Sequence, residues 1–218
     1  MSARVGVVLF PGSNCEQDVI EATGHLGGSG EIVWHTDTDL SAFDAVVIPG
    51  GFAHGDYLRP GAIARFSPVM AAVADFARDG RPVVGICNGF QVLTEAGLLP
   101  GALQKNTGLR FVCETVDVRV ESVDSPLSNA LDRGAVLRIP INHFEGNYTC
   151  DAETLAQLRD EDRVVFRYVD NPNGSVDDIA GICSADRNVV GLMPHPERAS
   201  HPLLGSTDGV GMIRSLLE

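Results

Sequence analysis

At 218 residues, with 44% hydrophobic and 21% charged positions, the chain can bury a sizeable core, and one domain spanning residues 1–218 is expected. Its formal charge of −13 and its lack of any Lys/Arg cluster exclude a nucleic-acid binder, whose phosphate contacts need concentrated positive charge. No apolar run approaches the roughly 20 residues of a membrane helix, and the opening MSARVGVVLFPG is too short in its apolar part for a secretory signal, so a cytoplasmic protein that meets no membrane is expected.

In chain order, RVGVVLF, EIVWH, AVVIPG and PVVGIC read as strands, with helix-like segments after the first, third and fourth. Continuous apolar runs of this kind suit a parallel sheet covered on both faces, and such sheets place their sites just beyond the C-terminal strand ends. After Pro100 and Gly101 the pattern changes. RFVCETVDVRVES and VLRIPIN look extended without crossover helices, which predicts an antiparallel annex. DAETLAQLRD reads as a helix capped by Asp151, RVVFRYV as a strand, IAGICS and NVVGLMP as a hairpin, and GVGMIRSLLE as a closing helix. The fold class is therefore α/β: a mixed, mainly parallel sheet flanked by helices, with a smaller antiparallel annex.

Five cysteines, Cys15, Cys87, Cys113, Cys150 and Cys183, are scattered without a C-x-x-C pair. Free thiols are expected, and neither these spacings nor any H-E-x-x-H motif announces a metal site. Gly85-Ile86-Cys87-Asn88-Gly89 has the G-x-C-x-G spacing of a nucleophile elbow, a sharp strand-to-helix turn that lifts a nucleophile out at the sheet edge. The helix N-terminus favours a thiolate there, and the N–H of Asn88 can serve an oxyanion. The same spacing also suits an inert buried thiol flanked by packing glycines. Cys15, after the turn PGSN, could enjoy a helix dipole too, but Glu16 beside it opposes a thiolate.

A thiol nucleophile needs a base and a group to orient that base. In MPHPERA, Pro194 and Pro196 favour an extended stretch, so His195 and Glu197, two apart, face the same way. A solvated proline turn is the alternative. Gly50 and Gly51 end another strand in a loop whose backbone can approach a ligand closely, with an N–H at Gly51 or Phe52 as second oxyanion donor.

Taken together, PGG, GICNGFQ and PHPE in that order resemble the triad-type, class I glutamine amidotransferases. The stretches PGSNCEQD, GGFAHGDYLRPGAIARF, NGSVDDIAGI and GLMPHPERA narrow the resemblance to the family of glutaminase subunits of phosphoribosylformylglycinamidine synthase. The resemblance implies a flavodoxin-like layout, L-glutamine as substrate, Cys87 as nucleophile, His195 as base, Glu197 as its orienter, and Gln91 and Gly50 in substrate binding. It further implies a large ATP-dependent synthetase partner and a small bridging subunit, with ATP and Mg on the synthetase and no cofactor on this chain, which has no G-x-x-x-x-G-K-[ST] loop. Asp56 and Arg59 of GDYLR are the expected partner-interface residues. Where the family has H-G-E-G this chain reads His143-Phe144-Glu145-Gly146, and a positive φ at Phe144 would be strained. A stand-alone cysteine hydrolase and a catalytically inert binding module are the competing readings. The first needs no Gln91, and the second predicts an ordinary cysteine.

Overall fold

The computed structural model describes residues 2–218. Nine strands form one sheet in the order β2-β1-β3-β4-β11-β10-β9-β6-β7: β1 Arg4–Leu9, β2 Ser29–Trp34, β3 Ala45–Ile48, β4 Val83–Ile86, β6 Val112–Val120, β7 Val136–His143, β9 Val164–Tyr168, β10 Ile179–Cys183 and β11 Val189–Leu192. Neighbours from β2 through β11 pair in parallel. From β11 onward through β10, β9, β6 and β7 every pairing is antiparallel.

The difference between the halves follows from composition. Strands β3 (AVVI), β4 (VVGI) and β11 (VVGL) are buried at every position, as central strands covered on both faces must be. In contrast, the second half of β6 alternates buried Val116, Val118 and Val120 with exposed Asp117 and Arg119, the period-two pattern of a strand with one wet face. Helices α1 (Glu16–His25), α2 (Pro68–Arg78) and α3 (Asn88–Glu95) follow β1, β3 and β4, while α4 (Ala152–Asp160) and α5 (Val210–Leu217) complete the layers. As the sequence predicts, Asp151 caps α4, its Oδ1 accepting the Thr154 N–H at 2.7 Å.

The small antiparallel annex is a two-stranded sheet of β5 (Ala102–Gln104) and β8 (Asn147–Thr149). RFVCETVDVRVES and VLRIPIN do not belong to it: they continue the main sheet as β6 and β7, because β9 lies between them and the hairpin β10–β11 and offers β6 a free edge. The annex is held to α3 by Tyr148, whose ring stacks on Phe90 with centroids 5.8 Å apart and whose hydroxyl donates to the Pro100 carbonyl.

Two glycines set the approach of α3 to the sheet. A Cβ on Gly85 would lie 2.6 Å from the Gly89 carbonyl, and one on Gly89 would lie 1.9 Å from the Ile48 carbonyl oxygen of β3. Gly89 needs no special backbone angle, so the clash alone accounts for the residue. Gly89→Ala should therefore destabilise the protein by about 2–3 kcal/mol in urea unfolding, the size of an overpacked core. A variant as stable as the parent would contradict this packing account.

Candidate active site

The C-terminal ends of β3, β4 and β11 lie side by side, in the register Ile48 to Gly85 and Ile86 to Leu192. The residues that follow these ends are Gly50, Cys87 and His195, so parallel pairing alone brings three distant stretches to one edge. The Cys87 N–H donates to the Leu192 carbonyl at 2.8 Å, tying the two strand ends at the point where they diverge. Strand β7 reaches back to the same edge: the His195 N–H donates to the Pro140 carbonyl at 2.8 Å, and the Cys87 Sγ lies 3.7 Å from the Asn142 carbonyl oxygen.

Cys87 occupies φ 53°, ψ −105° at the cap position of α3. A non-glycine residue in that region costs on the order of 1–3 kcal/mol, which the surrounding packing must offset. The strain has a geometric result: the chain turns sharply out of β4 and into α3, and Cys87 faces a cavity of about 270 Å³. Asn14, Cys15, Gln91, His143, Glu145 and Arg198 also face this cavity.

His195 Nδ1 is 2.6 Å from Glu197 Oε1, and both side chains are buried. The sequence expectation of a lateral His–Glu contact thus holds as geometry, although the backbone from Pro196 to Ala199 is a 3-10 turn rather than extended. His195 Nε2 is buried and has no hydrogen-bond partner. Burial opposes a charge on His195, yet the Glu197 carboxylate first, and the sulfurs of Cys87 and Cys15 after it, outweigh that cost and hold the imidazole well above its ordinary value.

Asn88 joins the elbow to the loop after β3. Its Oδ1 accepts the Ala53 N–H at 3.0 Å, while its Nδ2 donates to Asp56 Oδ1 at 3.0 Å and to Gln91 Oε1 at 2.8 Å. Gln91 Nε2 in turn donates to the Glu145 carbonyl at 2.6 Å, so the amide is fixed at both ends in the cavity wall. The Gly51 N–H is committed to no acceptor among the described residues, and neither is that of Asn88. Phe52 requires a correction: its N–H donates to the Gly12 carbonyl at 2.8 Å, so it cannot serve an oxyanion, and Gly51 is the donor this loop offers. At φ 151°, Gly51 also sits where a Cβ would strike Ser13 and Asn14 at 2.7 Å.

The two residues expected at a partner interface part company. Asp56 is half-buried in the cavity wall beside Asn88, facing inward. Arg59 is exposed and forms a two-pronged pair with Glu95 of α3, at 2.5 and 2.7 Å. They do not bridge to one another. Phe144 does not take a positive φ, so its replacement of the family glycine carries no backbone strain, and its carbonyl accepts the Asn106 N–H at 2.9 Å.

Three further groups that the sequence assigns no role in the site face the cavity. Cys15 follows the C-terminal end of β1 at the same sheet edge, and Arg198 Nη2 donates to its Sγ at 3.1 Å while Arg198 Nε holds Asp18. His143 is buried with both ring nitrogens unpartnered; burial first, and the neighbouring charge of His195 second, push it down to about 4. The strand-end rule could flag Cys15. His143 is visible in the sequence as the first residue of the His143-Phe144-Glu145-Gly146 stretch, whereas nothing local marks the role of Arg198.

Comparison with known proteins gives a concordant picture. The family described as a CobB/CobQ-like glutamine amidotransferase domain matches residues 2–208. A protein of Rubrobacter xylanophilus named phosphoribosylformylglycinamidine synthase subunit PurQ is 61% identical over 98% of this chain and 97% of its own length. A protein of the same name from Koribacter versatilis is 54% identical over 98% of this chain and 97% of its own. A chain in the structure of PurLQS from Thermotoga maritima is 43% identical and superposes with a TM-score of 0.92, covering 100% of this chain and 98% of that one.

Burial, more than the compensating Asn88 hydrogen bond, raises the Asp56 carboxyl to about 6. A carboxyl raised on folding holds its proton longer in the native state, so its stabilising effect is complete below the unfolded value near 3.9 and is lost as pH rises through about 6. Asp56→Asn should consequently be more stable than the parent in urea at about pH 7.5, with the gap shrinking toward about pH 4. A gap that is constant with pH would show that Asp56 does not titrate in this window.

Proposed function

The chain belongs to the CobB/CobQ-like glutamine amidotransferase family, and from that premise we propose that it is the glutaminase subunit of a phosphoribosylformylglycinamidine synthase, hydrolysing L-glutamine and handing the ammonia to a separate subunit. The observation that carries the reading is the His195–Glu197 contact of 2.6 Å standing over a strained Cys87 at one sheet edge. Relatives of that name at 54–61% identity, each aligned over nearly its whole length, support the assignment.

The chemistry follows from the geometry. The Cys87 sulfur attacks the side-chain amide carbon of glutamine, and the carbonyl oxygen becomes an oxyanion received by the N–H groups of Asn88 and Gly51. Each such donor contributes about 3–4 kcal/mol to lowering the barrier. His195, held protonated by Glu197, gives its proton to the departing nitrogen, which leaves as ammonia. The glutamyl thioester remains on Cys87. Neutral His195 then takes a proton from water, the resulting hydroxide attacks the thioester carbon, and glutamate leaves as sulfur and imidazolium are restored. Gln91, pinned by Asn88 and Glu145, and the close backbone at Gly50 shape the space for the substrate.

Ammonia that reached bulk water would be protonated and lose its nucleophilicity, so a docked partner must receive it. The partners are the large ATP-dependent synthetase, which carries ATP and Mg, and a small bridging subunit. This chain supplies no cofactor of its own. The exposed Arg59, stiffened by Glu95, and the adjoining exposed Tyr57 and Leu58 are the part of the loop that suits a partner surface, with Asp56 contributing from behind. The whole chain acts as one amidotransferase domain, in the cytoplasm where such biosynthesis runs. No helix among the described residues is long and apolar enough to cross a membrane.

Cys87→Ser should abolish glutaminase activity, and Glu197→Gln should lower kcat by about 10²–10⁴ while the fold survives, because His195 loses the charge that keeps it protonated and oriented. Ammonia release measured on the chain reconstituted with its synthetase tests both. Glutaminase activity undiminished in either variant would overturn the reading. Arg59→Ala should leave the thiol reactive toward a glutamine chloroketone but weaken co-purification with the synthetase, and unaltered co-purification would remove Arg59 from the interface.

A further inference from the structure

Two carboxylates face the cavity without a cation. Asp56 and Glu145 both line it, and neither joins an ion pair among the described residues. Side-chain amides tie them to one wall: Asn88 Nδ2 donates to Asp56 Oδ1 at 3.0 Å and to Gln91 Oε1 at 2.8 Å, and Gln91 Nε2 donates to the Glu145 carbonyl at 2.6 Å. The basic groups that share the cavity are committed elsewhere. Arg198 gives Nε to Asp18 and Nη2 to Cys15 Sγ, and His195 gives Nδ1 to Glu197. His143, pushed down to about 4 by burial first and by His195 second, is neutral near pH 7. Nothing the chain itself supplies offsets the two negative charges. Asp56 carries the cost, since burial first, with the Glu145 charge adding to it, raises its carboxyl to about 6.

Asn88 places this wall relative to the reacting atoms. Its backbone N–H stands uncommitted beside Cys87, where the oxyanion of the substrate amide is received, while its side chain holds Asp56. One residue therefore spans the reacting end of a bound glutamine and the carboxylates. The other end of that substrate carries an ammonium.

We propose that Asp56, seconded by Glu145, binds the α-ammonium of L-glutamine and so makes the cavity selective for amides of α-amino acids over simple carboxamides. The assignment rests on the glutaminase reading and adds to it the residue that decides which amide is held. Asn88 occupies one Asp56 oxygen, and a carboxylate has acceptor sites to spare for an ammonium. An amide that lacks the ammonium leaves both carboxylates half-buried and uncompensated, which is the strongest ground on which a polar site rejects an analogue. Asp56 acts on binding alone, and no bond is made or broken at it.

The test uses the chain reconstituted with its synthetase and two reagents, a glutamine chloroketone and its des-amino counterpart, in which hydrogen replaces the ammonium. Labelling of Cys87 by each is followed by peptide mapping, and the ratio of the two rates cancels any change in the thiol itself. The parent should prefer the ammonium-bearing reagent by about tenfold or more, and Asp56→Asn, whose side-chain oxygen still accepts from Asn88, should lower that ratio by about fivefold or more. KM for glutamine should rise in the same variant by about tenfold or more. A parent ratio near one, or a ratio that Asp56→Asn leaves unchanged, would overturn the proposal while the glutaminase reading stands. Should Asp56→Asn fail to fold, Glu145→Gln replaces it, and a ratio it does not lower overturns the proposal equally. Failure of both reagents to label Cys87 in the parent would instead sink the glutaminase reading, and the proposal with it.

Discussion

The site depends on one backbone constraint. Cys87 is held at φ 53°, ψ −105°, a conformation the residue would leave if the chain around it could relax. What prevents relaxation is close packing. Gly85 and Gly89 let α3 lie against β3 and β4 with no room for a methyl group, Asn88 stitches the helix start to the loop at Ala53, and the Cys87 N–H is tied to β11. The helix N-terminus, its free N–H groups and the cavity wall all follow from that turn.

A second constraint converts a local turn into a site. Parallel pairing of β3, β4 and β11 forces their C-terminal ends to a common edge, so residues that need one another chemically can be far apart in sequence. His195 comes within reach of Cys87 through strand register, and Glu197 through a tight turn after Pro196. The antiparallel half of the sheet contributes by curling β7 back over that edge, where Pro140 and Asn142 accept contacts from His195 and Cys87. A buried histidine held charged by a buried carboxylate is costly to desolvate. In the proposed reaction it serves as both acid and base, which gives that cost a use.

Legibility in the sequence follows physical range. The elbow, the capped helix α4 and the all-apolar strands are readable because glycine spacing, an N-cap and hydrophobic period act within a few residues. Phe52 passes for an oxyanion donor on sequence grounds because a count of nearby N–H groups cannot tell which one the Gly12 carbonyl has already taken. The inward direction of Asp56 is hidden from the sequence because a loop side chain is aimed here by Asn88, a residue on another element. The continuation of the main sheet through β6 and β7 is hidden for a similar reason: an antiparallel strand pair looks the same whether it stands apart or joins an existing edge. Cys15 and Arg198 meet across almost the full length of the chain, and no local pattern encodes such a contact.

The central claim is that the strained thiol at the elbow, and no other, takes the glutamyl group. Rapid acid quenching of the chain with its synthetase during turnover of isotopically labelled glutamine, followed by mass spectrometry of the cysteine peptides, reads this directly. The account predicts labelled glutamyl mass on the Cys87 peptide alone. Ammonia release with no covalent glutamyl adduct on any cysteine, or with the adduct on Cys15, would contradict it.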